Sequence, residues 1–239
     1  MKKNNFNIIN FLKIYSEDKL ALFFLINLII ILGLVIFGPL ITLQNPYDLS
    51  QLNILDSLLP PLSQAYENNY FLLGTDDQGR DLLSAIIYGL RISLYVGSLS
   101  VIISLIVGII LGVVSAYFGG FVDNFIMRVA DMVLAMPSFL IALVLLSILG
   151  RGLENVVFAL VMSQWATFAR VIRSSALSEK EKDYFYSARC LCLPQSRIIF
   201  GHLLPNCLPP IIVLSTINLA FAITLEASLS FLGVGLPIT

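Results

Sequence analysis

Three cysteines and the only histidine are the first residues of this sequence that could do chemistry. Cys190, Cys192, His202 and Cys207 lie within one short stretch, and thiolates and imidazoles are the ligands that zinc prefers. Their spacing, C-x-C-x9-H-x4-C, fits no recognised metal site well. We therefore interpret them as small buried residues and predict no metal site.

The rest of the sequence contains no catalytic or cofactor-binding pattern. No Ser/His/Asp set can be assembled around the single histidine, and the phosphate-binding pattern G-x-x-x-x-G-K-[ST] is absent. A net charge of −1 and the lack of a basic stripe argue against nucleic acid as a partner. We expect no catalytic residue, no cofactor and no nucleic acid.

The composition is that of a membrane protein. The chain is 58% hydrophobic and 12% charged, whereas soluble domains are about 25% charged. Five apolar runs approach the roughly 20 residues that a membrane-spanning helix needs. They are 20–43, 92–118, 132–150, 155–169 (with a start near Gly152) and 203–232. We predict an all-α polytopic membrane protein with five transmembrane helices in a lipid bilayer.

Lysine and arginine are distributed unequally between the connecting segments. Segments 1–19, 119–131 and 170–202 hold eleven of the fourteen, and segments 44–91 and 151–154 hold three. Because Lys and Arg concentrate on the cytoplasmic side, we predict a cytoplasmic N-terminal segment and a cytoplasmic loop at 170–202.

The segment 44–91 is predicted to be an external loop that ends in an amphipathic helix. The polar cluster at 74–81 predicts a turn followed by a capped helix start. Apolar residues then recur at helical spacing from Leu82 to Leu90. Arg80 is expected to form a local ion pair with Asp77 or Asp81.

The loop 170–202 is predicted to contain two short helices. Pro194 should end the first and Pro205 the second, which would begin at Gln195. The first helix has an apolar face formed by Tyr184, Ala188 and Leu191, with Phe185 and Cys192 beside it. Such a helix could insert into a groove on a cytosolic partner, or it could lie on the lipid headgroups.

Polar residues also occur inside the apolar runs. Glu226 interrupts the fifth run, with Asn218 two turns earlier, and an ionisable group inside a span is by default a functional hypothesis. These two residues could line a solute path or pair across helices, unless Glu226 is hydrated near the outer end. Pro137 should kink or break the third span, and Gly108 with Gly112 fits close helix packing.

Four segments in this order resemble the inner-membrane permease subunits of ABC importers. They are 73–97, 117–143, 197–206 and 217–235. The resemblance is closest to the C-type permease of the dipeptide, oligopeptide and nickel branch, and it covers roughly residues 15–239.

The resemblance implies a permease subunit of an ATP-driven peptide importer, with the permease domain at 92–239. The implied partners are a second homologous permease, two cytosolic ATPase subunits and an extracytoplasmic solute-binding protein, all at a bacterial inner membrane. It also implies a sixth span after a loop that begins near Gly235. This sequence lacks that span, so we expect either a fragment or a truncated gene product.

The family's cytoplasmic coupling signature is altered in this chain. Tyr186 replaces its glutamate and Cys192 its glycine, and a cysteine is strained where the backbone needs a positive φ. The residues that the resemblance assigns to contact with the ATPase are Tyr184, Phe185, Tyr186, Ser187, Ala188, Arg189, Leu191, Cys192 and Arg197.

Two further sets of residues carry hypotheses. Asn218 and Glu226 are candidates for the translocation path. The external motif is formed by Gly74, Thr75, Asp76, Gly79, Arg80 and Asp81. This motif either serves as a structural turn or lies near the docking site of the solute-binding protein.

Three alternatives remain open at this stage. The chain could serve an importer of nickel or another small solute, because these importers share the same motifs. It could be a self-sufficient secondary transporter, although no internal repeat is visible. It could also be a non-transporting remnant or assembly factor.

Overall fold

The structure, a computed structural model, describes residues 17–64, 66 and 70–235. Within these residues the fold is almost entirely helical, and four helices are long and apolar enough to cross a membrane, or five if one sharply bent pair is a single span. This confirms the prediction of an all-α polytopic membrane protein. The chain forms two compact units, 1–92 and 93–239.

The described part of the first unit starts with the most apolar of the four long helices. Helix α1 (Lys19–Ile41) follows Asp18, whose carboxylate accepts hydrogen bonds from the backbone N–H groups of Leu20 and Ala21. The cap satisfies N–H groups that have no partner inside the helix. Almost all side chains of α1 are exposed, as expected for a helix surrounded by lipid. This helix coincides within two residues with the predicted first span, 20–43.

Short elements follow α1 in the first unit. Two 3₁₀ turns, Leu49–Gln51 and Ile54–Asp56, precede an antiparallel hairpin of β1 (Ser63–Gln64) and β2 (Tyr70–Phe71). In this hairpin Ser63 is paired with Phe71. The compact turn at 74–81 then leads into the next helix.

Helix α2 (Leu82–Phe118) is continuous for 37 residues. Asp81 begins it by accepting a hydrogen bond from the Ser84 N–H at 2.9 Å. The amphipathic helix predicted after the turn is therefore present. No proline interrupts the i to i−4 hydrogen bonds at residue 92, so this helix continues without a break into the predicted second span, 92–118.

The predicted third span is a sharply bent pair of helices. Helix α3 (Gly120–Leu134) and helix α4 (Ser138–Leu149) meet at an angle of 88°. Pro137 lies at the break and lacks the N–H group that would continue α3. The expected break is confirmed. The predicted start of this span at residue 132 is wrong, because the segment 119–131 that was expected to connect two spans is helical from Gly120.

Helix α5 (Leu153–Lys180) lies at the centre of the second unit. It packs against α3, α4 and α8 (Leu204–Phe231). The predicted span ended at residue 169, whereas the helix continues to Lys180. Ala176 and Glu179 in that extension are buried, so the charged segment from 170 is helical and packed and does not form a loop.

Three further pieces connect α5 to α8. They are α6 (Asp183–Cys190), α7 (Gln195–Ile198) and one π-helical turn (Ile199–Leu203). The second helix was expected to end at Pro205, but the chain continues into α8 without a break. The Leu204 N–H donates to the Ile199 carbonyl, five residues back. The widened turn accommodates a proline whose ring would otherwise clash with the preceding turn.

Small residues allow α2 and α5 to pack closely. A Cβ atom added at Gly108 would lie 2.3 Å from the Phe168 Cβ, and one added at Gly112 would lie 2.7 Å from the Ala169 carbonyl oxygen. Helices in lipid associate mainly through such contacts, because lipid removes most of the hydrophobic driving force. The predicted role of Gly108 and Gly112 is confirmed.

Candidate functional site

Helix α6 has one buried edge and one exposed edge. Phe185 and Ala188 are buried in the main core cluster of the second unit. Tyr184 is partly buried beside them. The exposed edge is formed by Tyr186, Ser187, Arg189, Leu191 and Cys192, and Arg197 on α7 is also exposed. We call these six exposed residues the α6 edge.

The predicted docking face of α6 differs from the surface that the structure exposes. Ala188 and Phe185 are 4% and 2% exposed, so they hold α6 against its own unit and are not available to a partner. Leu191 is 74% exposed and Tyr186 55% exposed. Helical spacing identified an apolar face, but spacing alone does not show whether that face packs inward or outward.

The corner between α5 and α6 is held by a buried carboxylate. Glu179, 8% exposed, accepts hydrogen bonds from the Lys182 Nζ at 2.7 Å and the Tyr184 hydroxyl at 2.6 Å. Burial of the ring, together with the hydrogen bond to Glu179, raises the pKa of Tyr184 to about 12. The network fixes the direction in which α6 leaves α5.

Tyr184→Phe should destabilise the protein by about 1.5 kcal/mol at pH 7, because a hydrogen bond to a charged group is lost. The raised pKa of Tyr184 means that this contribution is complete below pH 10 and is lost as pH rises from about 10 to 12. Unfolding in detergent, followed from pH 7 to 11.5, should show the two proteins converging. Tyr186→Phe, at an exposed ring, should change little at any pH, and a constant difference for Tyr184→Phe would contradict the assignment.

The end of α6 is a Schellman motif with a cysteine at the left-handed position. Cys192 has a φ of 51°. Its N–H donates to the Arg189 carbonyl at 3.0 Å, and the Leu193 N–H donates to the Ala188 carbonyl at 3.4 Å. Glycine is the usual residue at this position, so the backbone here has the positive φ at which a cysteine is expected to be strained.

Cys192→Gly should raise the free energy of unfolding by about 1 kcal/mol, since glycine has no steric penalty at this φ. Cys190→Gly is the matched control, because Cys190 is also exposed but lies within α6. Glycine there should cost up to about 1 kcal/mol. Thermal unfolding in detergent measures both variants, and an equal loss for the two would contradict the strain at Cys192.

The cysteines and histidine do not form one cluster. Cys190 and Cys192 are exposed, whereas Cys207 is buried. The prediction that all three are buried is therefore wrong for Cys190 and Cys192. Among the described residues, no group of three or more His, Cys, Asp or Glu side chains could hold a metal ion.

An ion pair that the sequence analysis missed joins α3 to α5. The Arg173 Nε and Nη2 each lie 2.5 Å from an oxygen of Asp123. Asp123 also accepts from the Ser115 hydroxyl, and the Lys180 Nζ donates to the Ala116 carbonyl at 2.7 Å. No spacing pattern connects Asp123 with Arg173, because they are fifty residues apart.

The predicted path residues Asn218 and Glu226 are both buried on α8. Glu226, 4% exposed, accepts hydrogen bonds from Ser93 at 2.9 Å and Ser230 at 2.8 Å. Of the alternatives for Glu226, the structure therefore favours pairing across helices, here between α8 and α2. Asn218 donates to the Leu214 carbonyl of its own helix at 2.9 Å and lines a cavity.

Gln164 on α5 lines the same cavity and was missed by the sequence analysis. It is 5% exposed, and neither its Nε2 nor its Oε1 has a hydrogen-bond partner within the described residues. A buried unpaired amide costs about 1–3 kcal/mol. The available signal was a carboxamide in the middle of an uncharged run that predicted a membrane span.

The external motif in the first unit is built as a tight turn. Asp76 accepts from the backbone N–H groups of Gln78 and Arg80, each at 2.9 Å. Thr75 and Asp81 form a β-bridge across the turn. Gly79 has a φ of 75°, and a Cβ there would lie 2.3 Å from the Asn53 carbonyl oxygen. These contacts support the structural role of the motif, which needs glycine at this position.

Two other motif residues complete the turn, and one prediction about it is wrong. Gly74 has a φ of 81°. Arg80 is 8% exposed and donates to the Gln78 side chain. The described ion pairs do not include the expected pair between Arg80 and Asp77 or Asp81. The Asp81 carboxylate does not pair with Arg80; it caps the start of α2.

The long apolar helices define a helical membrane protein, and its relatives give the class. The family model described as binding-protein-dependent transport system inner membrane component matches residues 104–239. A second model, the N-terminal transmembrane domain of oligopeptide transport permease C, matches residues 10–61. The chain belongs to this family of inner membrane components; it is a permease subunit and not an enzyme.

Relatives with assigned names are similar over most of the chain. The dipeptide transport system permease protein DppC of Haemophilus influenzae is 38% identical over 221 residues, which cover 92% of this chain and 74% of that protein. The oligopeptide transport system permease protein OppC of Bacillus subtilis is 34% identical over 223 residues, covering 93% and 70%. DppC of Escherichia coli is 42% identical over 222 residues, covering 92% and 73%.

Proposed function

We propose that this chain is the permease subunit of an ATP-driven importer of short peptides in a bacterial inner membrane. The observation that carries the solute class is the identity of 34–42% to permeases named for dipeptide and oligopeptide transport. These names favour peptides over nickel as the cargo. The chain contributes part of the path and its moving helices, while ATP is hydrolysed on partner subunits.

The proposed assembly contains a second homologous permease, two cytosolic ATPase subunits and an extracytoplasmic solute-binding protein. We place the N-terminus and the α6 edge on the cytoplasmic side, following the distribution of Lys and Arg. The α6 edge would then contact an ATPase. The Glu179 network would transmit movement of α6 to α5, because it joins the two helices rigidly.

The proposed coupling is a population shift between two arrangements of the bundle. The closed ATPases would bind α6 more tightly in one position than in the other. A partner can shift such an equilibrium only through this difference in affinity. The bidentate pair between Asp123 and Arg173 would carry the movement from α5 to α3. Packed helices respond to such a push by switching between discrete arrangements.

The first experiment is affinity purification of this chain from its native membrane in mild detergent. Mass spectrometry should identify a second permease and ATPase subunits, and the purified assembly with its binding protein should drive ATP-dependent uptake of Ala-Ala or trialanine into vesicles. Recovery of the chain alone, while a control transporter stays intact, would overturn the proposal and favour a remnant or assembly factor. Uptake that persists without ATP would instead indicate a secondary transporter.

A further inference from the structure

We propose that the Gln164 carboxamide binds backbone amide groups of the peptide as it passes through the bundle. The inference rests on the proposed function and names a contact that the path would use. It is carried by two independent observations: a cavity between α5 and α8, and a residue of its wall, Gln164, whose buried amide atoms have no hydrogen-bond partner within the described residues.

The cavity has a volume of about 200 Å³. Its polar lining comes from Ser138 on α4, from Ser163, Gln164 and Thr167 on α5, and from Asn218 on α8. Leu214, Phe221 and Leu225 supply part of the apolar wall. Pockets that enclose a whole small ligand are about 300–1,000 Å³, so this cavity suits one segment of a longer solute.

Gln164 is distinguished from its polar neighbours by its unpaired atoms. Ser163 donates to the Leu160 carbonyl at 2.8 Å, and Asn218 donates to the Leu214 carbonyl at 2.9 Å. Both therefore use their donors within their own helices. Within the described residues, both polar atoms of the Gln164 side chain lack a hydrogen-bond partner. Buried polar groups without a partner are rare in proteins.

The position of Gln164 along α5 fits a path through the membrane. It lies eleven residues after Leu153, about 16 Å along the helix axis, and a hydrocarbon core is about 30 Å thick. Asn218, across the cavity, lies in the middle of α8. An unpaired amide near mid-membrane has no lipid group with which to form hydrogen bonds, so a polar solute is a chemically suitable partner.

A carboxamide matches the peptide backbone in its donors and acceptor. The side chain of glutamine offers two N–H donors and one carbonyl acceptor. In an extended peptide, the N–H and C=O of one residue point to the same side and can both be paired. Gln164 could therefore bind one residue through two hydrogen bonds, whatever that residue's side chain.

The lining favours an uncharged polar group as its partner. It contains no carboxylate, imidazole, thiol or cationic side chain, so it offers nothing that would hold a nickel ion or neutralise a peptide terminus. Its chemistry is limited to uncharged hydrogen-bonding groups. The backbone amide is the uncharged polar group that all peptides share.

The test uses the assembled transporter in vesicles with Gln164→Leu, and Thr216→Val as the matched control. Thr216 lies on α8, is exposed and donates to its own helix. Gln164→Leu should lower ATP-driven uptake of trialanine about tenfold, the effect of losing roughly one or two neutral hydrogen bonds. The loss should be similar for a second tripeptide with different side chains, and Thr216→Val should match the wild type.

A second measurement asks whether peptide reaches Gln164. In a protein whose native cysteines are replaced by serine, trialanine under turnover should slow alkylation of Gln164→Cys by N-ethylmaleimide at least about threefold, while Thr216→Cys should react at an unchanged rate. Unprotected Gln164→Cys, or normal uptake by Gln164→Leu, would overturn the inference.

The remaining outcomes separate this inference from the proposed function. If Gln164→Leu lowers recovery of the partner permease, Gln164 pairs with that subunit and the inference is wrong. A loss confined to one tripeptide would show side-chain recognition and would also overturn it. If the wild-type assembly transports neither Ala-Ala nor trialanine, the peptide importer proposal fails and this inference fails with it.

Discussion

Gly108→Ala should lower the free energy of unfolding by about 3 kcal/mol or more, the upper end of the range for overpacked cores. The added Cβ would lie 2.3 Å from the Phe168 Cβ and 3.0 Å from the Ala169 backbone nitrogen. Neither atom belongs to the free end of a flexible side chain, so the clash can be relieved only by moving α2 away from α5.

Moving α2 away from α5 would also disturb the core packing around Phe168. Phe168 and Ile172 on α5 are fully buried in the main cluster with Phe185 of α6. Separating α2 from α5 would open space beside Phe168, and buried space costs further stability because the surroundings collapse only partly. Gly112→Ala should behave similarly, because its Cβ would lie 2.9 Å from the Ile172 Cβ.

The matched control is Gly89→Ala on the same helix. Nothing lies within 4 Å of a Cβ at Gly89, and alanine in a helix is favoured over glycine by up to about 1 kcal/mol. Unfolding by sodium dodecyl sulfate in mixed micelles measures all three variants. If Gly108→Ala proves as stable as Gly89→Ala, the close packing of α2 on α5 is wrong.

Leu191→Asp should remove the ATPase from the purified assembly and reduce peptide uptake by at least about thirtyfold. Leu191 is the most exposed large apolar residue of the α6 edge, at 74%. A residue that anchors the centre of an interface is worth about 2 kcal/mol or more, roughly thirtyfold in affinity, and we expect Leu191 to be such an anchor. An aspartate at this position would also have to lose its hydration on binding, which costs further binding free energy.

The fold should tolerate this change, which makes the test specific for docking. Leu191 follows the last residue of α6 and packs little against its own unit. Leu55→Asp is the matched control, because Leu55 is 71% exposed but lies in the segment assigned to the opposite side. That variant should retain the ATPase. If Leu191→Asp keeps both the ATPase and uptake, the α6 edge does not contact the ATPase.

The membrane-spanning elements were the most predictable part of the fold. Long uncharged runs have one stable form in lipid, because each backbone polar group must be paired within its own helix. The bend at Pro137 and the close approach at Gly108 followed from residues with few conformational options. Helix boundaries in the charged segment 170–202 were harder to predict, because α5 continues as a packed helix to Lys180.

The candidate site was predictable only where a local rule applied. The strain at Cys192 could be anticipated, since a turn after a helix calls for a positive φ whatever the surroundings. Burial of Phe185 and Ala188 could not, because both edges of α6 contain apolar and polar residues. The expected pair between Arg80 and Asp81 was wrong for a related reason: the Asp81 carboxylate accepts the backbone N–H of Ser84 at the start of α2.

The amino-acid sequence by itself determined that this is a helical membrane protein, because apolar run length and turn residues act over short distances. The permease class came from the resemblance of four of its segments to a known family. The tertiary structure alone decided which side chains meet. Asp123 pairs with Arg173 from fifty residues away, Glu226 with Ser93 from 133 residues away, and Gln164 comes to line a cavity opposite Asn218. Such contacts depend on how α2, α3, α5 and α8 cross, and helix crossing is set by packing that no local pattern encodes.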